Sequence, residues 1–156
     1  MTTVQLPNLD ARLAYLAVQY HLSRPGSELQ RETSQPKAHG LADVAGALEP
    51  QLDKAVATVE LTDEQRERLG HAIAGAINEL KATPLLAAGG KQSMVPAFRE
   101  TLRRLFPDAG DDPDEATQLA GHLLALRRHL EQLPQDIVQV APKAEPRSRW
   151  RFWQRD

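Results

Sequence analysis

The sequence predicts an all-α fold: a single helical bundle of about five helices with an extended C-terminal tail. Three observations carry that prediction. Ala and Leu supply 22 residues each, against 11 for Val and Ile together, and Ala and straight-chain residues lose little rotamer freedom in a helix. Apolar residues recur at spacings of three and four through five stretches, the period of a helix with a buried face. Two stretches open on capping boxes, Thr62-Asp63-Glu64-Gln65 and Asp112-Pro113-Asp114-Glu115, in which the first side chain takes a first-turn backbone N–H and the fourth reaches back.

The first helix is expected from about Asn8, read as its N-cap with Asp10 in the first turn, to about Leu22. On a helical projection Leu9, Leu13, Leu16 and Tyr20 share one face, while Tyr15, Val18 and Leu22 fall nearly opposite. A helix apolar on two faces is either central in its own bundle or sandwiched between copies. Tyr15, Val18 and Leu22 are therefore the candidate face for a homo-oligomer. Residues 24–39 form a long polar connection broken by Pro25-Gly26 and Pro36, beyond the usual helix–helix loop of about 2–8 residues.

The second helix is expected over about Leu41 to Val59, with Leu41, Val44, Leu48, Leu52, Val56 and Val59 in phase. Pro50 either kinks it or opens a second abutting piece. The third follows the Thr62 capping box and carries Leu69, Ile73, Ala76, Ile77 and Leu80 on one face, kept thin by Gly70, Gly75 and alanines. Thr83-Pro84 is expected to end it, with Leu85 to Gln92 as a loop. The fourth begins around Ser93 or Pro96 and buries Val95, Phe98, Leu102, Leu105 and Phe106. The fifth has Pro113 at its first helical position and buries Leu119, Leu123, Leu126, Leu130 and Leu133. Residues 1–134 thus make one helical domain, residues 135–146 a Pro-containing linker or strap, with Ile137, Val138 and Val140 able to lie extended, and residues 147–156 an aromatic-basic tail.

Composition excludes several chemistries. There is no Cys, which removes disulfides, thiolate metal sites and cysteine nucleophiles. No apolar run approaches the roughly 20 residues of a membrane span. The start, Met1-Thr2-Thr3-Val4-Gln5, lacks the basic and apolar regions of a secretory signal, so a cytoplasmic location is expected. Charge is uneven: residues 1–146 hold 15 basic and 20 acidic groups, whereas residues 147–156 hold four Arg against Asp156. A domain that carries nucleic acid along its surface usually shows the opposite balance in its body.

The remaining motifs have plainer readings. Gly89-Gly90-Lys91-Gln92-Ser93 lacks the earlier Gly, the preceding strand and the Ser/Thr after Lys that a phosphate loop needs, and reads as an ordinary loop. His122 and His129 stand a heptad apart, about 10 Å along a helix axis and too far to share one metal. With His71 opposite its apolar face, the helical histidines read as solvated. Asp108, Asp111, Asp112 and Asp114 lack the spacing of a calcium loop, and capping accounts for two of them. No nucleophile–base arrangement or paired buried carboxylates can be singled out. The expectation is a protein that is not an enzyme, with no cofactor, no metal and no small-molecule substrate.

Two basic groups remain. Arg99, Arg103 and Arg104 on the fourth helix and Arg127 and Arg128 on the fifth would form one anion or nucleic-acid patch if those helices were neighbours. Pairing within each helix, such as Arg127 with Glu131, is the plainer expectation. The second group is the tail, where Arg147, Arg149, Trp150, Arg151, Phe152, Trp153 and Arg155 hold three of the seven aromatic residues. Trp and Arg dominate interface hot spots. The tail could cap its own bundle, dock on a partner, or rest on an anionic membrane surface, where four Arg at about 1 kcal/mol each give a reversible association. The leading expectation is a protein-interaction module, a small helical subunit or adaptor whose partner is another protein. The alternatives are a nucleic-acid-associated subunit using the Arg clusters and a peripheral membrane protein using the tail.

Overall fold

In a computed structural model of the chain, residues 1–24, 40–87, 96–110 and 112–133 are described, with side chains except at 83–87, 96 and 110. Strand β1 (Thr2–Pro7) leads into helix α1 (Asn8–Ser23). Helix α2 (Leu41–Leu48) runs into a 3-10 turn (Glu49–Gln51), followed by strand β2 (Val56–Leu61). Then come α3 (Asp63–Ala87), α4 (Pro96–Leu105), a second 3-10 turn (Pro107–Gly110) and α5 (Pro113–Gln132). Among the described residues the architecture is a helical bundle of five helices with a small two-stranded sheet.

The sheet corrects the expected second helix, which ends at Leu48 rather than Val59. Helical phase survives across Pro50, but from Val56 onward a period of two fits better. Ala57, Val59 and Leu61 are buried while Val56, Thr58 and Glu60 are exposed. Side chains alternate across a strand in that way, and Val and Thr favour the pleated conformation. Its partner, the N-terminal Thr2–Pro7, buries Val4 and Leu6 and exposes Thr3 and Gln5. The two pair antiparallel, from Thr2 opposite Leu61 to Pro7 opposite Val56.

Asn8 is not the N-cap of α1. Pro7 occupies that position with extended backbone and no side-chain cap. Asn8 instead donates its Nδ2 to the Leu52 and Lys54 carbonyls, both at 2.8 Å, and its N–H to Ala55 at 2.9 Å. A primary amide supplies two donors at once, and the Leu52 carbonyl also accepts from Arg12 Nε at 3.2 Å. The Thr62 capping box forms as expected, with Gln65 N–H to Thr62 Oγ1 at 3.1 Å and Thr62 N–H to Gln65 Oε1 at 2.9 Å. Asp112 caps α5 by accepting the Asp114 N–H at 2.9 Å. Helix α3 continues through Pro84 to Ala87 rather than ending at Thr83-Pro84. Proline removes one donor from the helical ladder but its φ is helical.

Helix α1 is the centre of the bundle, packing against α2, α3, α4, α5 and both strands. Ala11, Leu13, Ala14, Leu16, Ala17 and Val18 are fully buried. This settles the two-faced pattern in favour of a central helix. Tyr15, Val18 and Leu22 lie in the chain's own core, at 4%, 0% and 7% exposure, so they give no face to a second copy. Helix α5 lies mainly on α3, and α4 on α1. Of the apolar residues expected on α4 and after it, Phe98 and Leu102 are buried and Leu105 and Phe106 partly so. On α5, Leu119, Leu123, Leu126 and Leu130 are buried, with Leu133 packed at the margin. The 25–39 connection, the loop beyond Ala87 with Val95, and the linker and tail expected at 135–146 and 147–156 lie outside the described residues.

Candidate functional site

A groove of about 430 Å³ lies between the first turns of α3 and the last turns of α5. The Thr62 capping box fixes where α3 starts, and Gly70, lacking a side chain, leaves the groove open. Its floor is Arg66, 9% exposed, whose guanidinium donates to the Leu133 carbonyl at 3.1 Å and to Asp63 Oδ1 at 3.1 Å. Glu64, Glu67, His71, Arg127 and Glu131 line the walls.

The groove charges are mostly committed to one another. Arg127 Nε meets Glu131 Oε1 at 3.0 Å, Arg68 pairs with Glu64 on the rim, and Arg66 pairs with Asp63. All three are i,i+3 or i,i+4 pairs, each within one helix; the Arg68–Glu64 and Arg127–Glu131 pairs hold side chains on a solvated face and supply only tenths of a kcal/mol each. No nucleophile stands beside a base there. Among the described residues no group of three or more His, Asp or Glu is placed to hold a metal ion. Glu79 on α3 stands apart, its carboxyl pushed above the ordinary 4.5 by burial.

The Arg clusters do not merge. Arg99, Arg103 and Arg104 lie on α4, which packs on α1, while Arg127 and Arg128 lie on α5, which packs on α3. Arg103 and Arg104 end α4 beside the turn that starts α5, whereas Arg127 is 14 residues into α5, about 21 Å along its axis at about 1.5 Å per residue. Arg104 is also engaged within the chain, its guanidinium 5.6 Å from the centre of the Tyr15 ring, a cation–π contact. His71, His122 and His129 are exposed, as their positions suggested. Arg147, Arg149, Trp150, Arg151, Phe152, Trp153 and Arg155 lie outside the described residues.

No known protein family, no curated protein and no solved structure matches the chain. Its chemistry therefore stands on its own residues. Arg66 was not singled out from sequence, although Asp63-x-x-Arg66 directly after a capping box is a visible i,i+3 pair. Gln51, which bonds both backbone groups of Thr58, carried no sequence signal, because its role depends on a strand that the helical phase concealed. Among the described residues no helix is long and apolar enough to cross a membrane.

Proposed function

We propose that this chain is a non-enzymatic protein-interaction module, a small helical subunit or adaptor whose C-terminal Arg/Trp segment docks on a second protein. The observation that carries this function is the composition of residues 147–156. Ten residues hold two Trp, one Phe and four Arg, behind a body of opposite net charge. Such side chains concentrate binding energy at the centre of interfaces, and a Pro-spaced stretch carrying Pro142 and Pro146 precedes them, a composition suited to a spacer. Supporting it from the other side, the described bundle uses its central helix internally and its groove charges in local pairs.

The test compares the full chain with a chain ending at Pro146. Affinity capture from a cell extract is expected to recover a protein with the first and lose it with the second, while the melting temperature stays nearly unchanged. A sharp fall in melting temperature on truncation makes the segment part of the bundle and removes the docking function. Retention of the full chain on anionic lipid vesicles, with no protein captured, assigns the segment to a membrane surface instead.

A further inference from the structure

The two-stranded sheet has two outer edges, and they are not alike. On β2, the Gln51 carboxamide takes the place of a neighbouring strand. Its Nε2 donates to the Thr58 carbonyl at 2.9 Å and its Oε1 accepts the Thr58 N–H at 3.0 Å. Both Thr58 backbone groups therefore point away from β1. In an antiparallel ladder, residues directly opposite either both face each other or both face outward. Gln5, opposite Thr58, and Thr3, opposite Glu60, are thus the residues of β1 whose N–H and C=O point to the outer edge. Pro7, which has no N–H to offer, falls in the same outward series, and Asn8 bonds inward to Ala55 at 2.9 Å, as the alternation requires. Among the described residues nothing bonds to the outward groups of Thr3 or Gln5, and both residues are exposed.

We infer that this edge is where two copies of the chain meet, β1 pairing antiparallel with β1 of a second copy to make a four-stranded sheet. Charge and symmetry choose that occupant. Thr2-Thr3-Val4-Gln5-Leu6-Pro7 carries no charge, so it lacks the Lys or inward charge that natural edges use against self-pairing. A two-fold axis through Val4 sets Thr3 of one copy opposite Gln5 of the other, and the reverse. Each pair exchanges two backbone hydrogen bonds. The same register keeps Val4 beside Val4 on the core side and Thr3 beside Gln5 on the outer side. Faces stay in phase, and no like charges stand opposite one another. The β2 edge cannot do the same, being occupied by Gln51 and carrying Glu60.

A strand pair this short is expected to bury less than the roughly 800 Å² per partner of a standard interface, which is the size class of weak, reversible contacts. The test is sedimentation equilibrium of the full chain between about 10 µM and about 1 mM. The expected result is a monomer–dimer equilibrium. Gln5→Pro deletes an outward N–H that β2 does not use, and edge positions tolerate proline. The double variant Thr3→Lys/Gln5→Lys keeps every backbone donor but places like charges opposite each other across the axis. Both are expected to stay monomeric while melting near the wild-type temperature, and if Gln5→Pro fails to fold, the Lys variant decides alone. A wild type that remains monomeric throughout overturns the inference, as does a dimer that folded variants leave unchanged. Slow exchange of the Thr3 and Gln5 amides in a monomer, lost on removing residues 134–156, would give the edge to the chain's own C-terminal segment and overturn it equally.

Discussion

The ring of Tyr20 lies against the backbone of Gly75, so close that a Cβ at Gly75 would stand 2.2 Å from the ring's Cε1 and 2.9 Å from its Cζ. The ring has little freedom to retreat. Phe98 meets it edge-on at 5.7 Å, with planes at 81°, and the Arg24 guanidinium lies 5.5 Å from its centre. One aromatic side chain on α1 thereby joins α3 to α4.

Gly75→Ala is accordingly expected to lower stability. Replacing a helical glycine normally gains about 1 kcal/mol, but overpacking costs about 1–3 kcal/mol, and the backbone-to-ring approach favours the larger figure. Gly46, Gly70 and Gly121 meet nothing within 4 Å, so Ala at each is expected to gain up to about 1 kcal/mol. Urea unfolding of the four variants checks the contrast; a Gly75→Ala protein as stabilised as the others would show that the ring moves freely.

Arg66 fastens the end of α5 to the beginning of α3 through the Leu133 carbonyl and Asp63. Arg66→Ala leaves that carbonyl without its charged donor and is expected to cost about 1–3 kcal/mol. Arg66→Lys should recover only part, since an ammonium is not a planar fork able to serve two acceptors in fixed directions. Denaturation midpoints measure the loss, and faster amide exchange in the last turn of α5 locates it.

Glu79 makes stability depend on pH. Burial raises its folded pKa above the ordinary 4.5, so the folded state holds the proton more tightly than the unfolded chain does. The ionised form is therefore a cost at neutral pH, and it is relieved as pH falls through the raised folded value. Glu79→Gln, neutral throughout, is expected to gain stability relative to wild type as pH rises from about 4 to about 7. Melting temperatures of both proteins across that range test the sign; a difference independent of pH would contradict it.

Gln51 is expected to matter more than an exposed polar residue ordinarily does. Gln51→Ala removes both bonds to Thr58 and one to Ala47. The expected cost is about 0.5–1.5 kcal/mol, together with faster hydrogen exchange at the Thr58 amide. Gln51→Glu keeps the acceptor for that amide but loses the donor to the Thr58 and Ala47 carbonyls, so it should protect the amide without restoring full stability.

Where local signals agree with the final packing, the fold is legible in the sequence. The Thr62 and Asp112 starts, the Leu119-to-Leu130 face of α5 and the apolar α1 all stand where period and capping chemistry placed them. The strands were hidden because Val59 satisfies a helical phase continued from Leu41 as well as the alternation of Ala57, Val59 and Leu61, while Val56, exposed in the strand, supports the helical phase alone. The partner that favours the alternation lies at residues 2–7, beyond the reach of any local window. The candidate oligomer face on α1 failed for a related reason. Two apolar faces signal two neighbours, and sequence does not say whether those neighbours belong to the same chain. Each Arg group was visible, but the separation between them follows from which helix each carrier packs on.

The pairing of Thr2 with Leu61 spans 59 positions. During synthesis at about 5–20 residues per second, β1 therefore waits about 3–12 s for β2, its strand partner among the described residues, to be made. Through that interval Val4 and Leu6 have no sheet to complete, and both edges of an uncharged strand are bare. Helices α1 and α2 can form within the waiting stretch, since their hydrogen bonds are local. Strand β1, made before the helices, is thus among the last of the described elements to be satisfied, and it is where a growing chain of this protein is most open to capture by a neighbour.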